Sequence, residues 1–210
     1  MHTSSHASAA QTNATLLGVA GLCIALNVGL GAVVYITKLP IYLDAVGTIT
    51  FAILAGALRW RGFALAALVG AASFVIEGLL INPVIMWFIP TQIAIAAYSM
   101  LVARPLLRDT ISGGRVGRGG AIRVIALGVG LGVVAGLVSA PIITYVFGGI
   151  TGAGASVIVA VLLKSGETLY SSVLATGLAS EPLDKTIQLA AAVALLMATP
   201  HRVRSLFVAR

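Results

Sequence analysis

Charged residues are scarce in this chain. They make up 9% of its 210 residues, whereas hydrophobic residues make up 59% and the mean hydropathy is +1.07. Soluble domains carry about 25% charged residues, so this composition excludes a soluble globular protein and indicates a membrane protein. The net charge of +7 would suggest nucleic-acid binding in a soluble chain. Here the arginines stand where apolar stretches end, which predicts contact with lipid headgroups and no nucleic acid.

Residues for catalysis and metal binding are also scarce. The three histidines lie outside the apolar stretches at His2, His6 and His201, and Cys23 is the only cysteine. This excludes an intramolecular disulfide, a cysteine or histidine metal centre and a Ser/His dyad. Glu77 is the only carboxylate well inside a predicted span, away from its ends, so paired carboxylates for metal-dependent chemistry are missing. We therefore predict that the protein is not an enzyme and holds no cofactor or metal.

Six apolar stretches have about the length that a membrane span requires, which is roughly 20 residues. They lie at 14–37, 41–58, 62–80, 84–103, 121–147 and 182–199. The sequence therefore predicts an all-α membrane protein with six transmembrane helices. They form one membrane domain over 14–200, between a disordered cytoplasmic tail at 1–13 and a basic cytoplasmic tail at 201–210.

The stretch between the fifth and sixth spans, 148–181, does not fit this pattern. Its apolar run at 153–163 is shorter than a span and has a length typical of a re-entrant or interfacial segment. Counting it as a crossing would place the last arginines outside the cell, against the preference of basic residues for the cytoplasmic side. We therefore predict a long external segment before the last helix.

The positions of the basic residues predict the orientation. The chain has thirteen Lys and Arg residues, and ten of them fall in three groups at 59–61, 104–123 and 202–210. The other three, Lys38, Lys164 and Lys185, are predicted to be external, as are the acidic residues Asp44, Glu167, Glu181 and Asp184. Basic residues collect in short cytoplasmic loops. The pattern predicts a multi-pass protein of a prokaryotic inner membrane with both termini in the cytoplasm.

Two places on the external side could carry a binding site. Glu77 lies inside the third predicted span, where an ionisable group is costly and usually functional, although it could also reach outward or have a structural partner. Tyr42 and Asp44 follow the first span and could border a pocket. Asp44 could equally be stabilised by a helix N-terminus.

The external segment adds a second group of candidates. Lys164, Glu167 and Tyr170 lie between two apolar pieces of chain and could line a cavity or form only a capped turn. Trp87, near an outer helix end, could stack on a flat ligand, or it could be an interfacial residue of the kind common at membrane surfaces.

Small residues recur every fourth position in the first span, at Gly21, Ala25 and Gly29. This spacing lets a second helix approach closely. That helix could belong to the same bundle or to a partner subunit.

Three segments carry a family resemblance: Leu39 to Thr48 with its sequence LPIYLDAVGT, the third span from Gly70 through Glu77 to Asn82-Pro83, and Glu181 to Thr186 with its sequence EPLDKT before a helix that ends at Pro200 to Arg204. Together they resemble the substrate-binding S component of an energy-coupling factor (ECF) transporter, a prokaryotic vitamin importer.

The resemblance implies capture of a vitamin-like solute, and delivery through a T-type transmembrane subunit driven by two ATPases. It implies that the loops after helices one, three and five bind the solute, which adds Asn82 to the candidates, and that the first helix docks the T subunit through Gly21, Ala25 and Gly29. The alternative is the input domain of a membrane sensor, or an orphan polytopic subunit without transport activity.

Overall fold

The computed structural model describes residues 3–39, 41–152, 154–200 and 203, with side chains from residue 13 onwards. All regular secondary structure within these ranges is helical. The α-helices are α1 Thr3–Thr37, α2 Val46–Ala55, α3 Trp60–Leu80, α4 Ile89–Tyr98, α5 Arg104–Ser112, α6 Arg118–Pro141, α7 Ala155–Lys164 and α8 Leu169–Ala198. Short 3-10 helices lie at Gly56–Leu58 and Pro83–Phe88, and π-helical turns at Ser99–Ala103 and Ile142–Val146. Apart from Val203, the predicted basic tail lies outside the described residues.

Four helical stretches have the length and composition to cross a membrane: Asn13–Thr37, Trp60–Leu80, Pro83–Ser112 and Arg118–Val146. The predicted all-α fold is confirmed, and these helices are compatible with a membrane protein. Six crossings stay a prediction, because the second predicted span contains only the short apolar helix Val46–Leu58 and the helix of the sixth, α8, is not among these four. At the N-terminus, the first helix already begins at Thr3, within the tail predicted to be disordered.

Helix α2 lies in the centre of the bundle. All ten of its residues are buried, and it contacts α1, α3, α4 and α8. It begins later than the predicted span because Leu43 has a φ of +51°, in a region that disfavours helix continuation for a residue with a side chain. The segment 41–45 before it is therefore irregular.

Helices α6 and α8 form the most extensive helix pair. Three glycines of α6, Gly128, Gly132 and Gly136, face α8 and are called the α6 stripe below. A Cβ atom at Gly132 would overlap the backbone of Pro182. The absence of side chains along this stripe therefore sets the close approach of the two helices.

The last helix differs most from the sequence-based prediction. It begins at Leu169, where Thr168 is the N-cap and its Oγ1 accepts a hydrogen bond from the Ser171 amide at 3.3 Å. Ser180, two residues before the predicted span, is of a type that favours the N-cap position, but its hydroxyl donates to the Thr176 carbonyl at 2.9 Å. Pro182 lies inside the helix. The predicted external segment therefore contains α7 and the first part of α8.

Candidate functional site

A cavity of about 100 Å³ lies at the ends of α1, α3 and α6 that are remote from the arginine groups. A cavity of about 150 Å³ can hold a benzene ring, so this one has room for a single small ring at most. Aromatic and aliphatic side chains form much of its wall, including Tyr35, Phe74, Ile85, Phe88, Ile95 and Ile143.

Glu77 is the most conspicuous polar group of this cavity. Its side chain is buried, with 2% of the residue exposed, and its Oε1 has no hydrogen-bond partner. It faces Gly31 of α1, where a Cβ atom would lie 2.6 Å from Glu77 Oε2. Burying a charge without a partner is costly. The structure thus places an unpartnered carboxyl oxygen at the cavity wall.

A second group of ionisable side chains centres on Lys185, which is also buried. Its Nζ lies 2.7 Å from Asp184 Oδ2, 3.2 Å from Asp44 Oδ1 and 3.4 Å from Glu181 Oε2. The Glu181 contact is an ion pair without hydrogen-bond alignment, since this oxygen lacks a hydrogen-bond partner. One ammonium group is therefore shared by three carboxylates, an arrangement that offsets their loss of water.

Side chains of α8 also bind the backbone of the segment 41–45. Asp184 Oδ1 accepts hydrogen bonds from the amides of Tyr42 and Leu43, both at 3.1 Å. Gln188 Oε1 accepts one from the amide of Ala45 at 2.8 Å, and Gln188 Nε2 donates to Asp184 Oδ2 at 2.8 Å. These side chains satisfy amides of the irregular segment before α2, which makes no regular backbone ladder of its own.

A polar network fixes the helices on the other side of the cavity. Asn27 Nδ2 donates to Thr48 Oγ1 at 3.0 Å and to Ser73 Oγ at 3.1 Å. Thr48 Oγ1 donates to Gln92 Oε1 at 2.8 Å, and Gln92 Nε2 donates to the Asp44 carbonyl at 3.2 Å. The network joins α1, α2, α3 and α4 to the segment before α2. It satisfies buried polar groups that would otherwise be costly.

Half of the predicted binding residues line this cavity: Tyr42, Asp44, Glu77 and Asn82. Asn82 Nδ2 lies 3.4 Å from both Tyr35 Oη and the Thr151 carbonyl. It therefore connects the end of α3 with α1 and with the loop before α7.

The other predicted binding residues, Trp87, Lys164, Glu167 and Tyr170, do not line it. Trp87 is 59% exposed and packs edge to face against Phe147, with ring centroids 6.3 Å apart. Glu167 accepts a hydrogen bond from Ser171 Oγ at 2.9 Å beside the N-cap of α8. Tyr170 stacks on Tyr145, with centroids 6.4 Å apart. The polar group of the external segment thus forms a capped turn, the alternative that the sequence left open.

The buried charges of α8 were not expected from the sequence. We predicted Lys185 outside the membrane, but only 2% of it is exposed. Glu181, Asp184 and Lys185 are spaced i, i+3 and i+4, which puts them on one face of a continuous helix. This spacing could have predicted the cluster of charges from the sequence, but only if the helix is known to start before Pro182.

No protein-family model, curated protein or solved structure matches this chain. Among the described residues, no group of three or more His, Cys, Asp or Glu side chains could hold a metal ion. The cavity offers an apolar, aromatic wall and a few convergent polar groups, which is the usual character of a small-molecule binding site.

Proposed function

We propose that the protein is the S component of an ECF-type importer, the subunit that captures a vitamin-like solute. The cavity beside Glu77 is the observation that carries this proposal. Four of the eight predicted binding residues line it, and three of them, Tyr42, Asp44 and Asn82, lie in loops that the resemblance assigns to binding. A solute-capture subunit needs such a site between its helices, and its energy comes from partner ATPases.

The outer face of α1 supports the need for a partner. Gly21, Ala25 and Gly29, called the α1 stripe below, are all exposed. A Cβ atom at Gly21 or Gly29 would meet nothing within 4 Å. In the proposed assembly, this stripe is where the T-type transmembrane subunit packs.

The orientation and the number of crossings belong to the same proposal. The cavity lies at the C-terminal ends of α3 and α6, whereas Arg61 and Arg118 stand at their N-terminal ends. If those arginines face the cytoplasm of a prokaryotic cell, the cavity faces outward, as capture requires. The short α2 and the charged α8 then complete six crossings, with both termini inside.

Native mass spectrometry of the gently purified protein tests this function. We expect a fraction of the wild-type protein to carry an additional small-molecule mass. Gly31→Leu should abolish this mass, because it adds bulk beside Glu77 within the cavity. The matched control is Gly29→Leu, which makes the same change two residues away on the outer face and should retain the solute.

Thermal unfolding in detergent shows whether Gly31→Leu blocks the cavity or prevents the protein from folding. If Gly31→Leu unfolds cooperatively near the wild-type temperature and still carries the solute, the cavity is not the capture site. Absence of any bound solute in the wild type, together with no uptake in cells that express the T subunit and ATPases, would contradict the transport proposal and favour the sensor alternative.

A further inference from the structure

The buried part of the cavity contains more carboxylates than cations. Three acidic residues, Asp44, Glu77 and Glu181, line it, and Lys185 is their only buried basic neighbour among the described residues. All the ion pairs of Lys185 are made with carboxylates other than Glu77. Glu77 is thus left without a counter-charge.

The second lysine at the cavity, Lys38, does not supply this counter-charge. It is exposed, and its Nζ lies over the Tyr35 ring, 3.9 Å from the centroid. No ion pair joins it to Glu77 in the described part of the chain. A charge at the water-exposed mouth is also screened, unlike one at depth.

The chemistry around Glu77 distinguishes between classes of ligand. A buried carboxyl group without a counter-charge ionises only at a high cost, and an anionic solute would raise that cost. A neutral hydrocarbon would leave Oε1 without a hydrogen bond. A protonated nitrogen would donate to Oε1 and supply the missing counter-charge, forming a hydrogen bond stronger than one between neutral groups.

The surroundings favour an organic cation over a metal ion. Phe74 precedes Glu77 by one helical turn and also lines the cavity, so a carboxylate and an aromatic ring share one face. A ring face attracts an ammonium group. Metal ions require several oxygen or nitrogen ligands, and the described residues contain no such group.

We infer that the solute is a small ring compound with a basic nitrogen at its buried end, which donates to Glu77 while the ring packs against Phe74 and the apolar wall. This inference rests on the proposed capture function and specifies its substrate class. The volume of about 100 Å³ is below that of a cavity that holds benzene, so it restricts the enclosed part of the solute to the nitrogen and part of one ring.

Three probes with the same ring test the inference: benzylamine, benzyl alcohol and benzoate. They present a cation, a neutral group and an anion at neutral pH. Binding is measured by titration calorimetry on the solute-free, detergent-purified full chain. We expect wild-type protein to bind benzylamine about tenfold or more tightly than benzyl alcohol, since both can donate to the carboxylate but only benzylamine adds an attraction between opposite charges. Benzoate should bind least.

Three variants test whether Glu77 causes the preference for benzylamine. In Glu77→Gln, the preference for benzylamine should fall to about twofold or less, because the balancing charge is lost. Glu167→Gln is the matched control: it makes the same change at an exposed carboxylate outside the cavity and should leave the preference unchanged. Glu77→Asp retains the charge and should retain the preference if Glu77→Gln does not fold.

Each contrary result has a distinct meaning. Equal wild-type affinity for benzylamine and benzyl alcohol overturns the inferred substrate class but leaves capture of a neutral solute intact. A preference that persists in Glu77→Gln overturns the role of Glu77. If none of the probes binds, the inference fails, and the native mass spectrum decides separately whether the capture function fails with it.

Discussion

The α1 stripe and the α6 stripe have the same sequence spacing and opposite environments. On α6, Gly128 and Gly132 lie directly against α8, with no room for a side chain. On α1, Gly21 and Gly29 face open space, and a methyl group added at either position would have no neighbour within 4 Å. One stripe is used within the bundle, and the other is left on the surface.

This difference shows what a small-residue pattern can predict. The spacing indicates that a helix can approach closely, but it does not say which helix or whether that helix belongs to the same chain. In the sequence, the α1 stripe stood out and the α6 stripe did not. Only the structure separates the stripe that holds the fold from the stripe that remains available for a partner.

The largest effect on stability should come from Gly132→Ala. The added methyl group would overlap the backbone of Pro182, which cannot move as a flexible side chain can. We expect a loss of about 3 kcal/mol, the upper part of the usual range for overpacking. Thermal unfolding in detergent measures it, with Gly21→Ala as the matched control that should unfold like the wild type. Equal unfolding temperatures for the two variants would show that the stripes do not differ.

A selective effect on transport should come from Gly21→Leu. The change adds bulk to a surface that packs against none of the described residues, so folding and solute binding should stay unchanged. If the proposed importer is correct, uptake by cells that express all its subunits should be abolished, because the T subunit could no longer approach closely. Uptake at the wild-type rate, or a loss of binding equal to the loss of uptake, would contradict the docking role of the α1 stripe.

The smallest effect should come from Gly136→Ala, within the α6 stripe itself. Its Cβ would lie 3.5 Å from the nearest atom, the carbonyl carbon of Gly177, which is ordinary van der Waals contact. We expect the free energy of unfolding to change by less than about 1 kcal/mol, because the higher helix propensity of alanine compensates for small adjustments. A loss as large as that of Gly132→Ala would mean that the whole stripe is equally tight.

The elements that sequence reasoning located best are those determined by local composition. The third span was predicted over 62–80, and α3 runs from Trp60 to Leu80. Its apolar length and the Arg and Asn-Pro sequences that flank it are visible in the sequence itself. The all-helical fold follows in the same way from apolar runs that must satisfy their backbone hydrogen bonds within the bilayer.

The elements that it misplaced depend on distant contacts. The start of α2 is determined partly by Asp184 and Gln188, which are more than a hundred positions away and accept hydrogen bonds from the segment 41–45. The start of α8 was placed at Pro182, a residue that usually begins a helix. Here Pro182 lies inside a helix that begins at Leu169, and it packs closely against Gly132.

The cavity was predictable in part. Glu77 stood out because burying a carboxylate in a bilayer is costly, and Asp44 because it follows the first span. Their neighbours on α8 were taken for external residues, since charged side chains near a helix end usually reach water. Their burial becomes reasonable only when Lys185 and its three carboxylates are seen together in space.

The attachment of the segment 41–45 to α8 restricts how a solute can enter. Pulling this segment away would break the hydrogen bonds of three amides and the ion pair between Asp44 and Lys185 at once. On the opposite rim, Thr151 is held by Asn82 through a 3.4 Å hydrogen bond. We therefore expect the chain around Thr151 to move when a solute enters the cavity, while α8 and the segment 41–45 stay in place.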